Sequence, residues 1–142
     1  MARQALVLDA SVGVKWFSDK GEAALRHALA IRDAHMAQET IVVVPDLFYY
    51  EVSNAIIHKK HIPTGAAQSA VAALFALALH TIPINADILA SSVKLSRQFH
   101  ITVYDACYIA VALSSNCPLV TANPRHQRQV FGCKVIPIEQ WQ

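Results

Sequence analysis

The sequence predicts an α/β domain of three layers, α/β/α, built on a central, mostly parallel sheet of about five strands. Three observations predict it. Short apolar runs alternate with longer segments of helical periodicity over the whole chain. The runs are continuously apolar rather than alternating, as in strands covered on both faces. No linker, internal repeat or low-complexity stretch interrupts the pattern, so residues 1–142 read as one domain.

The elements follow in order. The strands are expected at Ala5–Leu8, Ile41–Val44, Thr81–Ile84, Leu119–Thr121 and Lys134–Ile136. Ser11 is placed to cap a short helix over Val12–Phe17. Gly21–Ala37 carries Ala24, Leu25, Ala28, Leu29 and Ile31 at helical spacing. Pro45 stops the second strand, and a helix follows over Asp46–Lys59. Thr64 is placed to cap Gly65–Leu79, and Asn85 to cap Ala86–Phe99, with Asp87 favourable in the first turn. A helix over Tyr104–Ser114 comes next, and Asn123-Pro124 opens a short helix reaching about Phe131.

Composition bounds the function. Hydrophobic residues make up 54% of the chain and charged ones 15%. That is enough to bury a large core, and it leaves apolar surface that favours a partner or a homodimer. A net charge of +2 is too small to argue for nucleic-acid binding by itself. The cysteines are Cys107, Cys117 and Cys133, an odd number without a C-x-x-C pair. Neither a disulfide framework nor a zinc knuckle is supported, and reduced packing thiols in a cytosolic protein are expected. The opening apolar run is too short for a signal peptide. The Ala70–Leu79 stretch falls short of the roughly 20 residues that cross a bilayer. A soluble, cytoplasmic protein without membrane association is therefore expected.

The acids fall where an α/β fold builds sites. In an open parallel sheet, ligands bind beyond the carboxyl ends of the strands. Asp9 follows the first strand, Glu51 lies early in the helix after the second, and Asp105 opens its own helix. Thr121 and Asn123 end the Leu119 strand. Clustered carboxylates repel one another and lose solvation when buried, which a divalent cation offsets. Magnesium takes hard oxygen ligands and retains waters, so two or three protein oxygens suffice. Such an ion acidifies a bound water and offsets phosphoryl charge, which suits phosphodiester hydrolysis. Each acid also has a plain structural reading. Asp9 and Asp105 can cap helices, and Glu51 can be an exposed helical residue. Asp105 sits among apolar neighbours, where a carboxylate needs a partner.

Four strings in order resemble the motifs of PIN domains: Val7-Leu8-Asp9-Ala10-Ser11-Val12, Tyr50-Glu51-Val52-Ser53-Asn54-Ala55-Ile56, Thr102–Ala112 around Asp105, and Leu119-Val120-Thr121-Ala122-Asn123. The resemblance extends over essentially the whole chain and includes VapC-type toxins of toxin–antitoxin pairs. It implies a magnesium- or manganese-dependent endoribonuclease that cleaves RNA with an activated water, a cognate antitoxin and a homodimer. By the same resemblance Asp9 and Asp105 bind the metal directly. Glu51 does so directly or through water, and helps orient the attacking water. Thr121 supports the site by hydrogen bonding, and Ser11 and Asn54 stand at supporting positions. The fourth position, often aspartate in the family, is Asn123 here. It offers a carbonyl oxygen without charge, so weaker binding of a second ion is expected, and a helix cap before Pro124 is an equal reading. That departure keeps open an alternative: a weakly active or inactive PIN module that serves mainly as an antitoxin-binding partner.

Arg125, His126 and Arg128 follow at once and are candidates for RNA phosphate contact, against the plainer reading of a solvated helix face. His58-Lys59-Lys60-His61 has H-x-x-H spacing, but its positive charge at a helix end is the simpler account. Phe48, Tyr49, Tyr50 and Ile56 with the Ala66–Leu79 helix read as core. By resemblance they also form a homodimer face and a groove for an antitoxin helix. A receiver domain would pair acids near the N-terminus, and a haloacid-dehalogenase-type phosphatase would need aspartate where Ser11 stands.

Overall fold

The computed structural model describes residues 3–17, 23–59, 61–127 and 132–142. In chain order the regular elements are β1 (Gln4–Leu8), α1 (Ala10–Gly13), a 3-10 turn (Val14–Phe17), α2 (Leu25–Met36), β2 (Thr40–Pro45), α3 (Leu47–Ile57) and α4 (Thr64–Ala76). Then come β3 (His80–Ile82), α5 (Ala86–Phe99), α6 (Val103–Ser115), β4 (Leu119–Thr121), a 3-10 turn (Pro124–His126), β5 (Val135–Pro137) and a last 3-10 turn (Ile138–Gln140).

The strands form one sheet in the order β3-β2-β1-β4-β5, and every pairing is parallel. Parallel neighbours need crossovers, and the helices supply them. Val7, Leu8, Val42, Val44, Leu119 and Val120 are wholly buried, as a sheet covered on both faces requires. Register is set at the centre, with Leu6 opposite Val42 and Leu8 opposite Val120. From β1 the chain winds outward through β2 and β3, then returns through α5 and α6 to lay β4 on the other side of β1. The direction of winding therefore reverses between β1 and β4. Their carboxyl ends are where such a sheet opens a crevice.

Two helices place the rest of the site. In α6 every residue from Ala106 to Ala112 is buried, so the helix is apolar all round and fixed by core packing. α3 buries Phe48, Val52 and Ile56 and is approached closely by α1. A Cβ at Gly13 would overlap the Phe48 ring and press on Val52, so only glycine lets α1 seat against α3.

The expected elements recur with shifted ends. The first helix is capped by Asp9, whose side chain accepts from the Ser11 backbone N–H, not by Ser11. It is a single α turn followed by a 3-10 turn. Thr64 is the first residue of α4, and Pro63 before it provides no side-chain cap. α4 stops at Ala76, short of Leu79, because Ala78 turns left-handed (φ 51°) to start β3. α6 is capped by Thr102, whose hydroxyl oxygen accepts from the Asp105 backbone N–H. Asn85 caps α5 as expected, accepting from Ile88 at 2.8 Å. The helix expected from Pro124 is a 3-10 turn, and residues 128–131 of that expectation lie outside the described residues.

Candidate active site at the carboxyl ends of β1 and β4

Asp9 leaves β1 in extended conformation (φ −75°, ψ 149°) and turns its carboxylate toward β4. It is 8% exposed. Its Oδ2 accepts from the Ser11 hydroxyl, from the Thr121 hydroxyl at 3.1 Å and from the Ser11 backbone N–H at 3.3 Å. The two hydroxyls are themselves held. Ser11 Oγ accepts the Ala122 backbone N–H at 3.0 Å, and Thr121 Oγ1 accepts the Asn123 backbone N–H at 3.0 Å. Each hydroxyl has one proton, and both protons point at Asp9. The Ser11–Thr121 approach of 3.3 Å is then a contact between two donors that share this carboxylate.

Glu51 projects from α3 and accepts the Tyr108 phenol proton on Oε1 at 2.7 Å. Asp105 is half-buried in the first turn of α6. Thr102 performs the capping of that helix, which leaves the Asp105 carboxylate free of that duty.

The electrostatics tie the three acids together. Burial pushes the Asp9 carboxyl above its ordinary value. The hydroxyls of Ser11 and Thr121 pull it back, and the charge of Asp105 raises it further. Burial also raises Glu51; the Tyr108 hydrogen bond lowers it, and the charges of Asp9 and Asp105 add to the rise. Among the described residues no lysine or arginine forms an ion pair with any of the three. Among the described residues, the donors that Asp9 and Glu51 receive are all neutral. Nor do three acidic, histidine or cysteine side chains among the described residues converge tightly enough to enclose an ion by themselves. Hard oxygens set apart in this way fit a cation that keeps much of its water, not a closed protein cage.

The other expected site residues are placed as follows. Ser11 and Thr121 meet Asp9 directly. Asn123 is exposed at the head of the 3-10 turn, and its side chain makes no capping bond there. Asn54 is exposed, and its backbone carbonyl meets the His58 ring at 2.7 Å. Arg125 is exposed, the backbone of His126 belongs to the 3-10 turn, and Arg128 lies outside the described residues.

Two residues emerge that the sequence reading passed over. Tyr108 binds Glu51, and its one sequence signal is its place a helical turn after Asp105. Gln127 is 1% exposed and donates from its side-chain amide to the Asp105 backbone carbonyl at 3.3 Å, which fastens the turn after β4 to the start of α6.

An all-parallel sheet with three interacting carboxylates at its winding reversal defines a class of site, and the class has a family. Residues 6–131 match the PIN domain, and the chain belongs to the PIN-domain family. No curated protein matches it by sequence. Its fold is shared by VapBC2 of Rickettsia felis, solved bound to a promoter DNA fragment (TM-score 0.71, 15% identity, 98% of this chain and 100% of that one). It is shared too by a toxin–antitoxin complex from Klebsiella pneumoniae (0.69, 20%, 94% and 97%). A third example is VapC20 of Mycobacterium tuberculosis, a sarcin–ricin-loop-cleaving toxin (0.63, 16%, 82% and 87%).

Proposed function

We propose that this chain is a VapC-type endoribonuclease that requires magnesium or manganese and is held in check by a cognate antitoxin. The observation that carries this reading is the grouping of Asp9, Glu51 and Asp105: burial and the neighbouring carboxylates raise Asp9 and Glu51, and among the described residues these two receive hydrogen bonds from neutral donors. A site that costs folding energy in this way has its compensation outside the chain.

Asp9 and Asp105 would hold the cation directly, and Glu51 would hold it directly or through water. Ser11 and Thr121 fix the Asp9 rotamer; Asn54 would be a further support and Asn123 an uncharged oxygen ligand. When bound, the cation makes a coordinated water more acidic and offsets charge at the phosphoryl group. Glu51 orients the attacking water. In-line attack breaks the bond to the 3′ oxygen, so the product carries a 5′-phosphate. Arg125, His126 and Arg128, which follow β4 in sequence, are the residues assigned to RNA phosphate contact.

The partner side of the reading has its own support. Tyr50 is 77% exposed and Phe75 59% exposed beside a groove of about 590 Å³ lined also by Tyr49 and Val71. Tyr49 and Phe75 stack at 4.4 Å. An apolar groove between α3 and α4 suits an amphipathic antitoxin helix or a second copy of the chain. Among the described residues no helix is long and apolar enough to cross a membrane. The whole chain acts as one domain, in the cytoplasm.

The test is cleavage of an RNA substrate with Mg2+ by the parent, D9A and D105A. Cleavage by the parent alone is expected, and equal cleavage by all three overturns the reading. The exposed, uncharged Asn123 favours a second reading, a binding module with little catalysis. A protein that binds a small antitoxin and shows no metal-dependent cleavage selects it.

A further inference from the structure

We infer that Tyr108 is a positioning residue: its buried hydroxyl sets where the Glu51 carboxylate stands, and through it how tightly the acidic triad holds a divalent cation. The inference rests on the metal-site reading above.

Asp9 and Glu51 are held differently. Asp9 has two hydroxyls and a backbone N–H on one oxygen. Glu51 has one donor recorded among the described residues, the Tyr108 phenol. It sits on a longer side chain, half-buried, with Asp9 and Asp105 both repelling it. Left to itself, such a carboxylate swings toward solvent, where its charge is hydrated and the repulsion is screened. Tyr108 opposes that swing. Its ring is wholly buried in the stretch of α6 that the core fixes, so the hydroxyl cannot follow a moving partner. A phenol has one proton to donate, and this one goes to Oε1 at 2.7 Å. The same helix carries Asp105 one turn earlier, so α6 positions one acid by its own backbone and a second through Tyr108.

The test is Mn2+ titration by calorimetry into the parent, Y108F, E51A and the double variant, each checked for folding by circular dichroism. Y108F keeps the ring and loses only the hydroxyl, and it should weaken Mn2+ binding about 10-fold or more. In the E51A background the same change should do nothing, because no carboxylate remains to be placed. Unchanged affinity in Y108F overturns the inference. Equal weakening by Y108F with and without Glu51 also overturns it, since that marks a packing effect. Absence of Mn2+ binding by the folded parent overturns the metal reading and this inference with it. Should Y108F not fold, E51D decides the point. It keeps the charge but draws the carboxylate away from the phenol, so weakening of about 10-fold or more is expected, and parent-like affinity overturns the inference.

Discussion

The two ends of this sheet treat their polar groups in opposite ways. Near the start of β2, His35 has both ring nitrogens occupied by backbone. Nδ1 accepts the Val42 N–H at 3.2 Å, and Nε2 donates to the Leu77 carbonyl at 3.0 Å. That pairing ties α2, β2 and the approach to β3 together. Around the carboxyl ends of β1 and β4, Asp9 feels the charge of Asp105 and Glu51 feels that of both, and the donors Asp9 and Glu51 receive among the described residues are neutral. The first arrangement is complete within the chain, and the second is complete only with something added. A polar cluster that is internally satisfied is architecture, whereas one left in deficit marks the place where the protein does its work.

Substitutions should separate the two ends. D9A should reduce RNA cleavage by more than about 100-fold, beyond the usual effect of removing a supporting group. H35A should leave cleavage per folded molecule unchanged. T121V removes the hydroxyl that joins Asp9 to the Asn123 backbone N–H, and a loss of about 10-fold to 100-fold in steady-state cleavage is expected. In urea unfolding the order reverses. H35A should cost about 1–3 kcal/mol, because the Val42 N–H loses its acceptor.

The pH dependence is a smaller effect with a definite sign. Asp9 and Glu51 have folded pKa values raised above their ordinary 3.8 and 4.5. The folded state then binds more protons than the unfolded state as pH climbs from those values through the raised ones. Their contribution therefore falls as pH rises across that window. Without divalent ions, unfolding free energy measured upward from pH 4 should decline through the window for the parent and less for D9N. Added Mg2+ should flatten the decline. The smallest change is at the rim: N123D supplies the missing charge and should tighten divalent affinity in calorimetry, and an unchanged Kd would count against Asn123 as a ligand.

Much of this was legible in the sequence because it depends on local pattern. Continuous apolar runs gave the parallel strands, and the end of a strand located Asp9 and Thr121. What escaped depends on tertiary proximity. Glu51 and Tyr108 are 57 positions apart, and only the packing of α3 and α6 on the sheet at β2 brings them together. Whether Asp9 or Ser11 caps the first helix stayed open in the sequence for a related reason. Either residue can cap, and the outcome was decided by Thr121 and Ala122, more than a hundred residues away. The segment after Asn123 opens as a 3-10 turn, because cap chemistry announces a start and says nothing of the kind of helix that follows.

The central claim is that the acidic triad is a deficit made good by a cation. Thermal unfolding of the parent and D9N, with and without Mn2+, tests it most directly. Asparagine keeps an oxygen for Ser11 and Thr121 while giving up the charge. Without metal, D9N should melt at or above the parent; with Mn2+, the parent's Tm should rise and that of D9N should stay nearly where it was. A parent whose Tm ignores Mn2+, together with a metal-free D9N that melts lower, would contradict the account.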